Sequence, residues 1–406
     1  MEASESGSLR SLRELNSRRV IDALRERGQV SRAEIARLTG LSRSTVSSIV
    51  ADLVEAEMIR EEADGTGVAQ GDQGGRPPVL LSLNPAAGLA LGVDFGHTHL
   101  RVAVSDMAHE VLAESRRELD VDHSAGEGLD AAAELVAGVL DEAGVDRDRV
   151  LGVGMGLPGP INQVTGTVGS SAILPGWVGV DAAAEISRRL DLPVQVENDA
   201  NLGALAEFVW GSGQGHSELI YIKLSSGVGA GLLLGGRIYQ GAGGTAGEIG
   251  HTVVQEGGAI CRCGSRGCLE TVASARAIAG MLSESRGEEI STRRLLELAT
   301  EPDSPAARLI EEAGRQIGIA VANLCNLINP DRVIVGGELG VAGELLTEPI
   351  LESIRRFAIR SAADQVTVVP GVLGDRAEML GALALVLHGS DRFFSPLPER
   401  EEAAAA

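Results

Sequence analysis

The sequence predicts an α/β protein in which a small winged helix-turn-helix head precedes a body of two α/β lobes with a metal-binding loop. Three observations predict it. Between Ser31 and Leu53, two short helical patterns flank Gly40, which is helix-turn-helix spacing. An apolar strand, a tight polar turn and a second apolar strand occur at 89–105 and, more weakly, at 219–241, which indicates a duplicated unit with a cleft between lobes. His251, Cys261, Cys263 and Cys268 fall within eighteen residues of a Gly-rich stretch. Four soft ligands in such a loop suit tetrahedral zinc; the alternative is one disulfide with spare thiols.

Composition narrows the class. At 406 residues with 44% apolar side chains, the chain can bury a sizeable core. Aromatic residues make up 2%, too few for stacked recognition of single-stranded bases. No apolar run of about 18 residues is present, so no membrane span is expected. The first residues, MEASESGSLRSLREL, lack a basic-then-apolar signal pattern. Cysteines used as metal ligands fit a reducing cytoplasm. The net charge of −22 disfavours a general nucleic-acid binder, but residues 10–50 hold nine arginines against four acids. A basic head on an acidic body suggests DNA binding confined to that head.

In the head, residues 1–84, Leu12, Leu15, Val20, Ile21 and Leu24 follow helical spacing as far as Gly28. Ser31 and Glu34 have the spacing of a capping box for a helix ending near Thr39. Ser42 is placed to cap the next helix, whose apolar positions are Val46, Ile49, Val50 and Leu53. Its outward face carries Arg43, Ser44, Thr45, Ser47 and Ser48. Small hydroxyls allow close approach to DNA, and Arg43 can reach a guanine edge or a phosphate. A plain three-helix bundle with a solvated face is the alternative. A strand from Met58 and Ile59, a Gly-rich loop through Gly75, Arg76 and Pro77, and a return strand at 79–83 then read as a wing.

The first lobe, residues 85–205, starts with a strand at 89–93 running into Asp94, Gly96, His97, Thr98 and His99. Such a turn between strands has a phosphate-cradling shape. Further on, a strand at 194–196 leads into Glu197, Asn198 and Asp199, then a helix to Trp210. Polar groups at the C-terminal end of a strand serve ligand contact or helix capping, and the two are compatible. In the second lobe, residues 206–390, the turn Ser225, Ser226, Gly227, Val228, Gly229 repeats the first design. A long helix at about 306–328, a strand at 332–335 ending in Gly336 and Gly337, and a closing helix at 379–387 follow. The Ala-rich tail, 391–406, is expected to be disordered.

The residues GEIGH at 247–251 with CRCGSRGCLE at 261–270 resemble the zinc motif of the ROK family, which holds sugar kinases and sugar-responsive repressors. The resemblance extends over about residues 12–388. It implies an actin-like, hexokinase-like body. It also implies a sugar site of Asn198, Asp199, Glu248, His251 and Glu270, with His251 serving zinc through one ring nitrogen and the sugar or a supporting partner through the other. Gly75, Arg76 and Pro77 match the element that contacts the minor groove in the family's repressors. In the family's kinases the Asp at position 199 is the catalytic base. Asp94, Gly96, Thr98, Ser226, Gly227 and Gly229 would then hold nucleotide phosphates, with ATP and Mg as cofactors.

The chain departs from the kinase pattern at His97 and His99, where small or cationic residues are usual, and at Ser226 and Ile173, where Thr and Asn are usual. A bulky imidazole at a phosphate turn obstructs the nucleotide. The expectation is a cytoplasmic, sugar-responsive transcriptional regulator, a repressor. It would bind double-stranded operator DNA as a homodimer or homotetramer, with a sugar or sugar phosphate as effector and structural zinc. The alternative is an ATP-dependent sugar kinase that keeps a DNA-binding head.

Overall fold

Two serines start two helices of the head. In a computed structural model that describes residues 13, 16, 17, 19–24, 27–63, 79–162, 165–168 and 173–389, Ser31 accepts the Glu34 N–H at 3.3 Å and opens the helix Arg32–Thr39. Gly40 ends that helix at φ +71°, a left-handed conformation that suits glycine. Ser42 accepts the Thr45 N–H at 3.1 Å and opens the helix Arg43–Glu55. The capping box is half formed, because the Glu34 carboxylate pairs with Arg37 at 3.0 Å instead of returning to Ser31. Gly75, Arg76 and Pro77, and the tail at 391–406, lie outside the described residues.

Ile35, Val46, Ile49, Val50 and Leu53 bury against Val20, Ile21 and Leu24. The wing is a three-stranded antiparallel sheet of order β1-β3-β2, with β1 at Gln29–Ser31, β2 at Ile59–Ala63 and β3 at Val79–Leu83. Strand β1 was not expected from the sequence; three residues are too few to show alternation.

The first lobe is built on β4 (Leu89–Phe95), β5 (His99–Asp106), β6 (Val111–Glu118), β7 (Val150–Leu157) and β8 (Val194–Asn198), in the order β6-β5-β4-β7-β8. The strands β4, β5 and β6 pair antiparallel, while β7 and β8 continue the sheet in parallel. Every residue of β4 is buried, which fits its apolar run with both faces covered. One face packs on the helix Ala125–Ala143. The other takes the closing helix, Ala377–Gly389, at Gly92 and Gly154. A Cβ on Gly154 would lie 1.9 Å from the Ala382 carbonyl oxygen, so only glycine permits this approach.

The second lobe repeats the arrangement. Its strands are β9 (Leu219–Leu224), β10 (Val228–Leu234), β11 (Arg237–Ile238), β12 (Arg332–Gly336) and β13 (Thr367–Pro370), in the order β11-β10-β9-β12-β13. Again a hairpin edge is antiparallel and two crossover strands are parallel. The helices Pro305–Ile328 and Glu344–Phe357 pack together beside this sheet.

The helix Asp199–Trp210 joins the two lobes. Its Gly203 lies against Tyr221 of β9, and its Leu202 carbonyl lies against Gly381 of the closing helix. The closing helix thus comes from the C-terminal end of the chain yet completes the first sheet. Its Met379, Leu383 and Leu387 share one apolar cluster with the head residues Leu24, Leu81 and Leu83. Among the described residues, no helix is long and apolar enough to cross a membrane.

Candidate metal centre, effector cleft and nucleic-acid face

His251, Cys261, Cys263 and Cys268 converge as the ligand pattern requires. Their donor atoms all lie within 4.8 Å of one another, and no disulfide links them. Cys261 Sγ is 3.6 Å from His251 Nδ1, and Cys263 Sγ is 3.7 Å from Cys268 Sγ. A tetrahedral zinc ion with ordinary bond lengths separates two sulfurs by about 3.8 Å and a sulfur from a nitrogen by about 3.6 Å. The donor set therefore fits zinc in type and in spacing. Burial, then the neighbouring Cys263 and Cys261 thiols, push Cys268 up to about 12, so three thiolates share this space only around a cation. The loop closes tightly at Gly267 (φ +72°), where a Cβ would lie 1.6 Å from the Gln255 carbonyl oxygen.

The Cys/His loop forms one wall of a cleft of about 250 Å³. Arg262, between two of the ligands, makes a bidentate pair with Glu270 at 2.8 and 2.9 Å. Glu270 also accepts the Val228 N–H at 3.2 Å, so both its oxygens are engaged. His251 presents its second nitrogen towards the cleft, 3.8 Å from Glu248. Burial, reinforced by Asp199 and Glu270 and opposed by Arg262, pushes Glu248 up to about 7.

The opposite wall is the end of β8. Asn198 Oδ1 caps the helix Asp199–Trp210 by accepting the Ala200 and Asn201 N–H groups at 2.9 and 3.2 Å. Its amide donates to the Gly159 carbonyl at 2.9 Å. Asp199 accepts the Ala200 N–H on one oxygen and the Lys223 ammonium on the other, at 2.8 and 2.9 Å. Lys223 also lies 3.1 Å from Glu378 at the start of the closing helix. Burial pulls Lys223 down, but Asp199, Glu378 and Asp94 outweigh it and hold the ammonium well above its ordinary value. Glu197, buried beside these groups, accepts from Asn201 at 2.9 Å and from Gln240.

Both candidate phosphate turns face the same cleft. In the first, the His99 ring lies over Gly96, where a Cβ would be 2.2 Å from the imidazole, and sits 3.3 Å from the buried Asp94. His97 pairs with Asp122 at 2.7 Å, and Thr98 is exposed. In the second, Ser226, Gly227 and Gly229 line the cleft, Gly227 beside Glu270 and Gly229 close to Ala200 of the lobe-joining helix. Ile173 is buried against Gly159 at the cleft edge.

On the head, Arg43, Ser44, Ser47 and Ser48 are exposed along one face of their helix. Thr45 is half-buried and, with Ser44, bonds to the Ser42 hydroxyl at 2.8 Å, so it belongs partly to the cap. Ser48 accepts from Arg13 at 3.3 Å.

Three residues central to the cleft, Lys223, Arg262 and Glu378, were not among those expected from the sequence. For Lys223 a signal was present. It is the single lysine of a chain with 34 arginines, and it interrupts an apolar strand.

The ROK family model matches residues 90–388, and a MarR family model matches residues 15–67. The chain is 30% identical over 389 residues to the xylose repressor of Caldicellulosiruptor bescii, covering 93% of this chain and 96% of that protein. It is 33% identical over 315 residues to the glucokinase of Halalkalibacterium halodurans, covering 73% of this chain and 94% of the kinase. A solved ROK family transcriptional regulator, described as a homologue of the E. coli MLC protein, superposes with a TM-score of 0.78 at 28% identity, covering 93% of this chain and 96% of the other. The family match takes in both duplicated sheets, the cleft between them and the Cys/His loop, and on that ground the chain belongs to the ROK family.

Proposed function

We propose that this protein is a sugar-responsive DNA-binding transcriptional regulator, a repressor released from its operator when a sugar fills the cleft. The observation that carries the proposal is a recognition face and a polar cleft in one chain, with the head's apolar core continuous with the closing helix that borders the cleft. The full-length similarity to a xylose repressor supports it. Arg43, Ser44, Thr45, Ser47 and Ser48 meet the major groove, and Gly75, Arg76 and Pro77 enter the adjacent minor groove. Two heads of a homodimer, or of a tetramer built from dimers, match two half-sites of a pseudo-palindromic operator. The protein acts in the cytoplasm, where DNA and a reducing environment coincide.

Asn198, Asp199, Glu248, His251 and Glu270 hold the sugar hydroxyls, because carboxylates, amides and imidazoles bridge neighbouring hydroxyls well. Zinc in the Cys/His loop acts as a cross-link that fixes the wall carrying Glu248 and Glu270. The sugar shifts the protein between states only if its affinity for them differs.

The glucokinase similarity raises phosphoryl transfer as a second reading. The cleft argues against it. A catalytic base must be free to take a proton, yet Asp199 is held by Lys223. The turn that would cradle phosphate is covered by His99. A pull-down of genomic fragments, with and without a sugar panel, tests the proposal. Selective recovery of a few promoters that one sugar abolishes is the expected result. No recovery, together with sugar-dependent ATP consumption, would replace it with the kinase reading.

A further inference from the structure

Glu197 stands next to Asn198 at the end of β8, 3% exposed and behind the cleft lining. Burying a carboxylate is costly unless its oxygens are matched. Here the match is made by amide groups. Oε1 accepts the Asn198 N–H at 2.8 Å and the Asn201 side-chain amide at 2.9 Å. Oε2 accepts the Gln240 side-chain amide. Burial pushes Glu197 up, and the Asn201, Asn198 and Gln240 donors oppose this.

The Gln240 bond crosses between the lobes. Asn198 and Asn201 belong to β8 and the lobe-joining helix, whereas Gln240 follows β11 in the second lobe. Gln240 opens a Gly-rich turn, and its carbonyl closes that turn on the Ala246 N–H at 3.1 Å. Gly241, Ala242, Gly243 and Thr245 are exposed, so the turn has little packing of its own to fix it. At its far end Gly247 lies against β10, where a Cβ would be 2.0 Å from the Ala230 carbonyl oxygen. Glu248 and His251 follow directly. One buried carboxylate therefore reaches both walls of the cleft. It holds the Asn198 backbone on one side and, through Gln240, the segment that leads to Glu248 and His251 on the other.

We propose that Glu197 is a positioning residue of the effector site, with Gln240 as its partner, and that their hydrogen bond sets the wall carrying Glu248 and His251 against the wall carrying Asn198. This rests on the sugar-sensing reading above and adds to it two residues that act through others rather than on the sugar itself. A hydrogen bond to an ionised acceptor is stronger than one between neutral groups, which suits a contact that must hold a glycine-rich turn.

The test follows hydrogen exchange in the full chain by mass spectrometry, over peptides within 240–251. Calorimetry with xylose, glucose and N-acetylglucosamine runs in parallel. Gln240→Glu sets two carboxylates face to face, and at that range they cannot both stay ionised. At about pH 8 the segment is expected to exchange about tenfold faster than in the intact protein, and the sugar to bind about tenfold more weakly. At about pH 6, where the two carboxylates share a proton, both differences shrink. Comparison with the intact protein at the same pH cancels the titration of Glu248. The double variant Glu197→Gln/Gln240→Glu exchanges donor and acceptor, restores the bond and is expected to match the intact protein at both pH values. A side chain that merely fills space would give neither the pH dependence nor the rescue. Gln240→Ala removes the bond without repulsion and is expected to loosen the segment at both pH values alike. Unchanged exchange in both single variants, or a double variant as loose as Gln240→Glu, overturns the inference and leaves sugar sensing intact. So does a loosened segment with undiminished sugar affinity. If none of the three sugars binds the intact protein, the sugar-sensing reading fails, and the exchange data alone decide whether Glu197 holds the turn.

Discussion

The Arg262 guanidinium is bound to the Glu270 carboxylate through two hydrogen bonds, Nε to Oε1 at 2.8 Å and Nη2 to Oε2 at 2.9 Å. Arg262 stands between Cys261 and Cys263, and Glu270 stands two residues after Cys268. The pair therefore ties the Cys/His loop to the cleft wall. Gly227 makes room for it, since a Cβ there would lie 2.6 Å from Glu270 and 2.7 Å from Arg262.

Loss of the metal is expected to silence the effector response before it harms DNA binding. Cys261→Ala removes a ligand that is 3% exposed, and no residue of the recognition face touches it. Without the cross-link the loop no longer fixes Arg262, and Glu270 and Glu248 lose their placement. Anisotropy of a labelled operator, read with and without sugar, checks this. Operator affinity without sugar should stay within about twofold, while release by sugar weakens by about tenfold or more, in line with the cost of disturbing a metal site. A variant shown to be metal-free that still releases DNA normally would count against the role of the loop.

The elements of the head were legible because their signals are local. Ser31, Gly40 and Ser42 each act within four residues, and the structure uses each as expected. The Cys/His cluster was legible for the same reason, as its four residues lie in one loop. The cleft pairs were not. Lys223 meets Asp199 across a separation of 24 residues and Glu378 from the far end of the chain, contacts that no local pattern encodes. Capping was undecided between Asn198 and Asp199. The geometry assigns it to Asn198, because the Asp199 carboxylate turns to Lys223.

Lys223→Met is expected to destabilise the protein, and to do so more at high pH than at low. The substitution leaves Asp199, Glu378 and Asp94 close together without their cation, and an uncompensated buried charge costs about 3–5 kcal/mol. Burial already raises Glu378 in the intact protein, and the neighbouring carboxylates Asp94 and Asp199 add to this, while Lys223 opposes it. Removing Lys223 raises it further. A carboxyl raised in the folded state binds more protons folded than unfolded. Stability then falls as pH climbs through the range above the ordinary carboxylate value. Melting temperatures of both proteins at about pH 6 and about pH 8 provide the measurement, the steeper decline belonging to the variant. Parallel profiles would show that Lys223 does not compensate this cluster.

Asn198 serves the helix and the cleft with different atoms, so substitutions can separate the two roles. Asn198→Ala removes the cap and the amide donor together, and should cost about 1 kcal/mol of stability from the cap alone. Asn198→Asp keeps an oxygen for the Ala200 and Asn201 N–H groups but sets a carboxylate against the Gly159 carbonyl. Urea denaturation should therefore rank the alanine variant as losing its cap. Calorimetry with the sugar should find both variants impaired. Full sugar affinity in Asn198→Asp would mean that the amide donor, and its hold on the Gly159 loop, plays no part in the cleft.

Arg43 is the first residue of its helix and is exposed there, where the free N–H groups and the helix dipole already favour a phosphate. Neighbouring Ser44 and Thr45 are drawn into the cap by the Ser42 hydroxyl, which leaves Arg43 as the longest side chain of the face free to reach out. Arg43→Ala is expected to weaken operator binding by about tenfold at moderate salt. The salt dependence then identifies what Arg43 touches. If it neutralises a phosphate, the slope of log affinity against log salt becomes shallower by about 1, and all DNA sequences weaken alike. If it reads a guanine edge, the slope stays closer to that of the intact protein and the loss concentrates on the operator by about 1–3 kcal/mol. Unchanged affinity for every sequence tested would remove Arg43 from the interface, and would shift the burden of recognition to Ser47 and Ser48 farther along the helix.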